Sequence, residues 1–235
     1  MRKYLLKLFV ISLLGLVNYS VYSQTLMPLP PHGSTYTGNT RGYWFTAPTN
    51  FIITGLRVPT DASTNSQNIQ VINLDSVPPF YTAVTNNFTS LVLFQNVTGT
   101  AILPVNIPVN TGDIIGIFGD RGTANSYATS PYVSSIGGIP VTLSRLGFQD
   151  ELSIIPAYDV WQTPTGSISR VEMYYVLNTL NLSITNDTSI CTGDSVLLSV
   201  DTLGSTTFIP PYSYSWTPST ALSCDTFQST FPQRS

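Results

Sequence analysis

Lysine is confined to the first seven residues of this 235-residue chain, at Lys3 and Lys7. Histidine occurs once, at His32, cysteine twice, at Cys191 and Cys224, and charged residues make up only 9% of the whole. These scarcities exclude several chemistries. Without lysine beyond the N-terminal stretch there is no amine for Schiff-base catalysis. Without a basic cluster nothing neutralises a phosphate backbone, so nucleic acid is not an expected partner. His32 sits in the proline-rich stretch PLPPHGS and reads as a solvated linker residue rather than a general base. Neither cysteine has a histidine near it in sequence, and neither G-x-S-x-G nor H-E-x-x-H occurs. No cofactor is expected.

What is present begins with the leader. MRKYLLKLFVISLLGLVNYSVYSQ joins a basic start (Arg2, Lys3, Lys7) to an apolar stretch from Leu5 to Val17, followed by Val21 and Ser23 at signal-peptidase spacing. The pattern is that of a secretory signal peptide, residues 1–23, cut before Gln24. Its apolar run is shorter than the roughly 20 residues a spanning helix needs, and no later segment is long or apolar enough. The mature chain is therefore expected outside the cell or on its surface, with no transmembrane segment. After cleavage six arginines (41, 57, 121, 145, 170 and 234) face all twelve acidic residues, a net charge of −6.

Thr, Ser, Asn and Tyr replace charge as the polar palette, as in extracellular β-proteins. Beyond the leader almost no 3.6-residue periodicity is found. Short β-branched and aromatic runs are separated by Gly, Pro and Asn. Strands are expected at Gly42 to Thr46, Phe51 to Val58, Asn68 to Leu74, Thr89 to Gln95, Thr100 to Leu103, Asp113 to Phe118, Ile139 to Leu143 and Ser167 to Leu177. Both faces of FIITGLRV are apolar, which places that strand centrally. The glycines of GIFG mark a bulge or a close approach. The expectation is an all-β chain: a linker over 24–40, an antiparallel, jelly-roll-like β-sandwich over 41–179, and a second module over 180–235.

In that module Val196, Leu198 and Val200 share one face, and Tyr212, Tyr214 and Trp216 share another, which reads as two half-buried strands. The order Cys191-Thr-Gly-Asp-Ser-Val, Tyr214-Ser-Trp216-Thr-Pro218, Leu222-Ser-Cys224 resembles the PKD-like and Ig-like repeats of secreted proteins in gliding bacteria. The resemblance covers about 50 residues. It implies a stalk or spacer in an adhesin-like protein exported by the type IX route, and a module truncated at FPQRS. Family members often continue as Cys-x-x-Cys, whereas Cys224-Asp-Thr is followed here by Phe227. Given export, Cys191 and Cys224 either form one disulfide, worth about 3 to 4 kcal/mol on the loop-entropy model, or remain two free thiols. The opening GNTRGYWFTAPTNFIITGLRVPTDAS resembles an uncharacterised sandwich domain found beside such repeats, with no activity implied. The same resemblance turns attention to Asp-Ser/Thr-hydrophobic triplets at Asp75, Asp194 and Asp201 as O-glycan acceptors. Sequons at Asn87, Asn96, Asn181 and Asn186 are what an Asn- and Thr-rich chain yields by chance.

Few residues remain for chemistry. Asp150 and Glu151 are adjacent, so in a strand they point to opposite faces, which argues against a converging glycosidase pair. No D-x-D ladder accompanies Asp120, Asn125 and Asp150, so no calcium site is expected. GIFGDRG reads as a strand entering a tight turn rather than a phosphate loop. The turn opens TANSYATSPYVSSIGG, the longest candidate loop. Tyr127, Tyr132, Tyr158 and Trp161, beside Asp120 and Arg121, form a candidate ligand surface there, because Tyr and Trp faces stack on sugar rings; the competing reading is that the aromatics cap the core. Two functions follow: a non-enzymatic surface protein whose partner is a surface glycan or another surface protein, and a carbohydrate-binding module. A polysaccharide hydrolase ranks behind both.

Overall fold

The computed structural model describes residues 24–177, 182–184, 197–202 and 229–230. The expected signal peptide, Cys191, Cys224 and the strand Tyr212 to Trp216 lie outside the described residues. Strand follows strand throughout: β1 (Thr25–Leu26), β2 (Ser34–Thr37), β3 (Arg41–Thr46), β4 (Phe51–Arg57), β5 (Gln67–Leu74), β6 (Phe88–Val97), β7 (Leu103–Val109), β8 (Ile114–Arg121), β9 (Ala124–Ser130), β10 (Tyr132–Ile136), β11 (Ile139–Gly147), β12 (Trp161–Gln162), β13 (Gly166–Ser169) and β14 (Glu172–Leu177). Among the described residues there is no helix.

Two antiparallel sheets result. The smaller runs β1-β14-β4-β7, and the larger runs β10-β11-β3-β8-β5-β6, with β9 joined to β8, β2 and β13, and β12 joined to β11. Strand β3 pairs with β8 in the large sheet while its successor β4 pairs with β7 in the small one. The β3–β4 ribbon thus lies against β7–β8 across both sheets, which is jelly-roll connectivity, and the sheets do not close into a barrel. Three further short strands, β15 (Leu182–Ile184), β16 (Leu198–Thr202) and β17 (Ser229–Thr230), pair antiparallel in a separate sheet.

Two-residue alternation builds the core. Tyr43 and Phe45, Ile69 and Val71, and Ile115 and Ile117 face inward onto Phe51, Ile53, Leu56, Met173 and Tyr175 of the small sheet. The opposite face of the large sheet is also covered. Ile72, Leu74, Phe118 and Leu146 pack there against Phe148, Leu152, Ala157 and Val160. That second layer explains why both faces of β8 are apolar. Gly116 is a close approach, since a methyl group on it would lie 2.6 Å from Leu146 Cδ2.

Several expectations need correction. The stretch 24–40 is not a linker: β1 extends the small sheet, β2 pairs with β9, and Met27 and Thr40 are fully buried. His32 is not merely solvated, because its Nδ1 lies 2.9 Å from Ser126 Oγ. The expected loop after Gly122 is instead β9 and β10, whose small polar residues gave little alternation to read. The strand expected at Thr100 begins at Leu103 and runs through Pro104 and Pro108; both prolines are accommodated because β7 is an edge strand. Ser167 to Leu177 is not one strand but β13 and β14, which lie in different sheets.

An arginine and aromatic cluster as candidate functional site

Strands β3, β11 and β12 bring Arg41, Gly147 and Trp161 into register as direct neighbours. A Cβ on Gly147 would lie 2.7 Å from Trp161 Cζ2 and 3.1 Å from Arg41 Cδ, so glycine is what allows indole and arginine to meet across it. Arg145 stands two residues earlier on β11 and therefore on the same face. The guanidinium carbon of Arg41 lies 5.1 Å from the Trp161 ring centre and 5.8 Å from that of Tyr36. That of Arg145 lies 5.8 Å from Trp161 and 5.7 Å from Tyr127. Tyr36 and Tyr127 stack on each other at 5.0 Å, and Tyr81 leans on Trp161 at 4.9 Å.

The electrostatics of this cluster are one-sided. Arg41 is 5% exposed and Trp161 4%. Arg41 donates through Nη1 to the carbonyls of Thr40 and Phe148 and through Nη2 to Gln149 Oε1, all neutral acceptors. Arg145 donates to the Ser167 carbonyl. Arg41 Nε, Arg145 Nε and Trp161 Nε1 are buried without a hydrogen-bond partner. Burial pushes the Arg41 guanidinium below its ordinary pKa and nearby Arg145 adds to this, while the hydroxyls of Tyr127 and Tyr36 oppose it. Burial likewise raises the Tyr127 phenol, against the pull of both arginines.

The other arginines of the described residues have charged or carbonyl partners, with only Arg121 Nη2 and Arg170 Nε buried without one. Arg57 pairs with Glu172 and Arg170 with Asp61, each at 2.6 Å. These two pairs line a polar hollow of about 300 Å³ with Thr60 and Thr100. Arg121 is fully buried, and its Nε and Nη1 donate to the carbonyls of Val58, Pro59, Asn65 and Gly99. It clamps loops and does not face a ligand, contrary to the sequence expectation.

Asp120, the other charged candidate, is also fully buried. Thr40 Oγ1 donates to its Oδ2 and Asn68 Nδ2 to its Oδ1. Burial raises its carboxyl to about 6, against those two hydrogen bonds. β8 runs between β3 and β5, so its end is enclosed rather than displayed. Of the expected aromatics, Tyr127 and Trp161 belong to the cluster. Tyr132 packs partly buried against the inner core, and Tyr158 lies edge-on to Phe148 with its hydroxyl donating to Asp150 Oδ2. Asn125 accepts from the Arg41 amide through Oδ1, so it braces the site instead of binding an ion.

Tyr36, Arg41, Tyr81 and Arg145 were not anticipated. A signal for the arginines exists: Arg41 shares strand parity with the inward Tyr43 and Phe45, and Arg145 with Val141 and Leu143. Strand β2 and the loop carrying Tyr81 had no comparable pattern. No protein-family model matches this chain, and neither a curated protein nor a solved structure shows significant similarity to it.

Proposed function

We propose that this chain is an exported, non-enzymatic, adhesin-like surface protein whose sandwich domain binds a saccharide and whose C-terminal segment serves as a spacer. The observation that carries the binding role is the cluster of Tyr36, Tyr81, Tyr127 and Trp161 around two arginines. Tyr81, 51% exposed, leans on Trp161, and its chain neighbour Phe80 is 57% exposed. Aromatic faces of this kind bury the apolar side of a sugar ring. Three carboxylates are engaged within the fold, which supports binding over hydrolysis: Asp120 is sealed in, and Asp61 and Glu172 are held by arginines. The leader over residues 1–23 supports export.

A glycan array probed with the full exported chain tests the reading. A saccharide signal lost in Tyr81→Ala and Tyr127→Ala is expected, while release of reducing sugar by the pure protein would overturn the non-enzymatic part. Mass spectrometry of secreted protein beginning at Gln24 tests the export.

A further inference from the structure

We infer that Arg145, half-buried at the edge of the Arg41–Trp161 cluster, with the exposed Tyr81 as outer rim, recognises an acidic saccharide, a sugar ring bearing a carboxylate or a sulfate ester. This rests on the glycan-binding reading above and adds to it the charge of the ligand.

Charge accounting leads there. Among the described residues, Arg57 and Arg170 have carboxylates and Arg121 has four carbonyl acceptors, whereas Arg41 and Arg145 share one indole and have no carboxylate partner. Desolvating a guanidinium costs several kcal/mol. A cation–π contact contributes about 0.5–1 kcal/mol at an exposed site and about 2 when desolvated. Neutral acceptors and ring faces thus leave part of the cost of two adjacent cations unmet, and a bound anion would meet it through charge-assisted hydrogen bonds.

The approach is open on one side. Arg145 is half-buried, and Gly166 beside it is exposed and carries no side chain to screen it: a Cβ there would lie 2.8 Å from Arg145 Nη1. Tyr81, on the β5–β6 connection, leans on the indole, and its chain neighbour Phe80, also exposed, bridges Gln162 through the backbone. A free inorganic anion would use the arginines and leave these exposed rings unused. A sugar ring carrying the anion uses both. In a lysine-free, acidic mature chain a polyphosphate is repelled at long range, while two neighbouring arginines still attract a single ligand anion locally.

Calorimetric titration of the full exported protein decides the matter, with tetragalacturonate, its methyl ester, a sulfated galactan tetramer, the neutral galactan tetramer and a glutamate decapeptide as probes. At least one acidic tetramer is expected to bind, with affinity falling as salt rises. Its neutral counterpart is expected to bind about ten-fold more weakly or worse, and both Arg145→Met and Tyr81→Ala to lose about ten-fold or more. Tyr81 is solvent-exposed, so its variant tests the site even where Arg145→Met fails to fold. Galacturonate or sulfate preference identifies which anion is read. Equal binding of ester and acid, binding indifferent to both variants, or preference for the peptide would overturn the inference. A neutral tetramer bound through Tyr81, with the acids ignored, removes the charge assignment and leaves the glycan reading standing; silence toward every saccharide removes both.

Discussion

Gly42 shows how tightly single residues are fitted. It pairs with Phe118 across β3 and β8, and a methyl group on it would overlap the Ile117 carbonyl, a backbone atom fixed by central-strand pairing. Gly42→Ala is therefore expected to destabilise by about 3 kcal/mol, measured as a lowered midpoint in urea unfolding with an unchanged slope. Asp120 makes a different prediction. Burial raises its carboxyl from the ordinary 3.8 to about 6 in the folded chain, so between these values the folded state binds more protons than the unfolded one. Stability from this group is fully present below about 4 and falls as pH rises through about 6, by an amount on the order of 3 kcal/mol. Asp120→Asn should flatten that fall, because an amide does not titrate; its oxygen can still accept from Asn68 Nδ2, while its nitrogen can only donate toward Thr40 Oγ1, so the variant starts from a lower stability. Thermal melts of both proteins across this range should differ in their slope with pH; parallel curves would mean that Asp120 does not titrate there.

At the level of elements, the N-terminal strands were the least legible part of the fold. β1 has two residues and exposed side chains, yet it leads directly into Met27, which is fully buried in the inner core and whose amide donates to the Met173 carbonyl. Met27→Ala is expected to cost about 2–5 kcal/mol, and Met27→Leu less than about 1.5, again by urea unfolding. β3, β4, β5, β6 and β8 could be read because β-branched and aromatic residues alternate along them and one face of each meets the core. β2, β9 and β10 could not, since small polar residues fill many of their positions, buried ones such as Asn125, Ser126 and Ser134 included, and leave no apolar alternation to read. The site suffered the same way. Tyr127 and Trp161 were picked out as aromatics, but Asp120 and Arg121 were mistaken for surface because a sequence gives strand parity and not which strand end is roofed. Arg41 and Arg145 become a pair only through the register Arg41–Gly147–Trp161, a contact between segments about a hundred residues apart.

Over residues 24–177 the chain is a sandwich with a third layer. Between the sheets the core is held by strand pairing on both sides of β8. Over the outer face of the large sheet lies the segment from Phe148 to Val160, which supplies Phe148, Leu152, Ala157 and Val160 to a second apolar cluster without contributing a strand. Its backbone is held in part by side chains: the Leu152 amide donates to Thr40 Oγ1 and the Ala157 amide to Gln70 Oε1, while Gln95 Nε2 donates to the Leu152 carbonyl. Such a cover should open at lower free energy than the sheets beneath it, since few bonds must break together. Hydrogen exchange is expected to run faster at the amides of Leu152 and Ala157 than at those of Val71 and Ile117. Thr40→Ala removes the acceptor for Leu152, and should speed exchange at Leu152 further while Ile117 changes only by the variant's loss of global stability. Equal protection at all four amides would instead mean that the cover and both sheets open as a single cooperative unit.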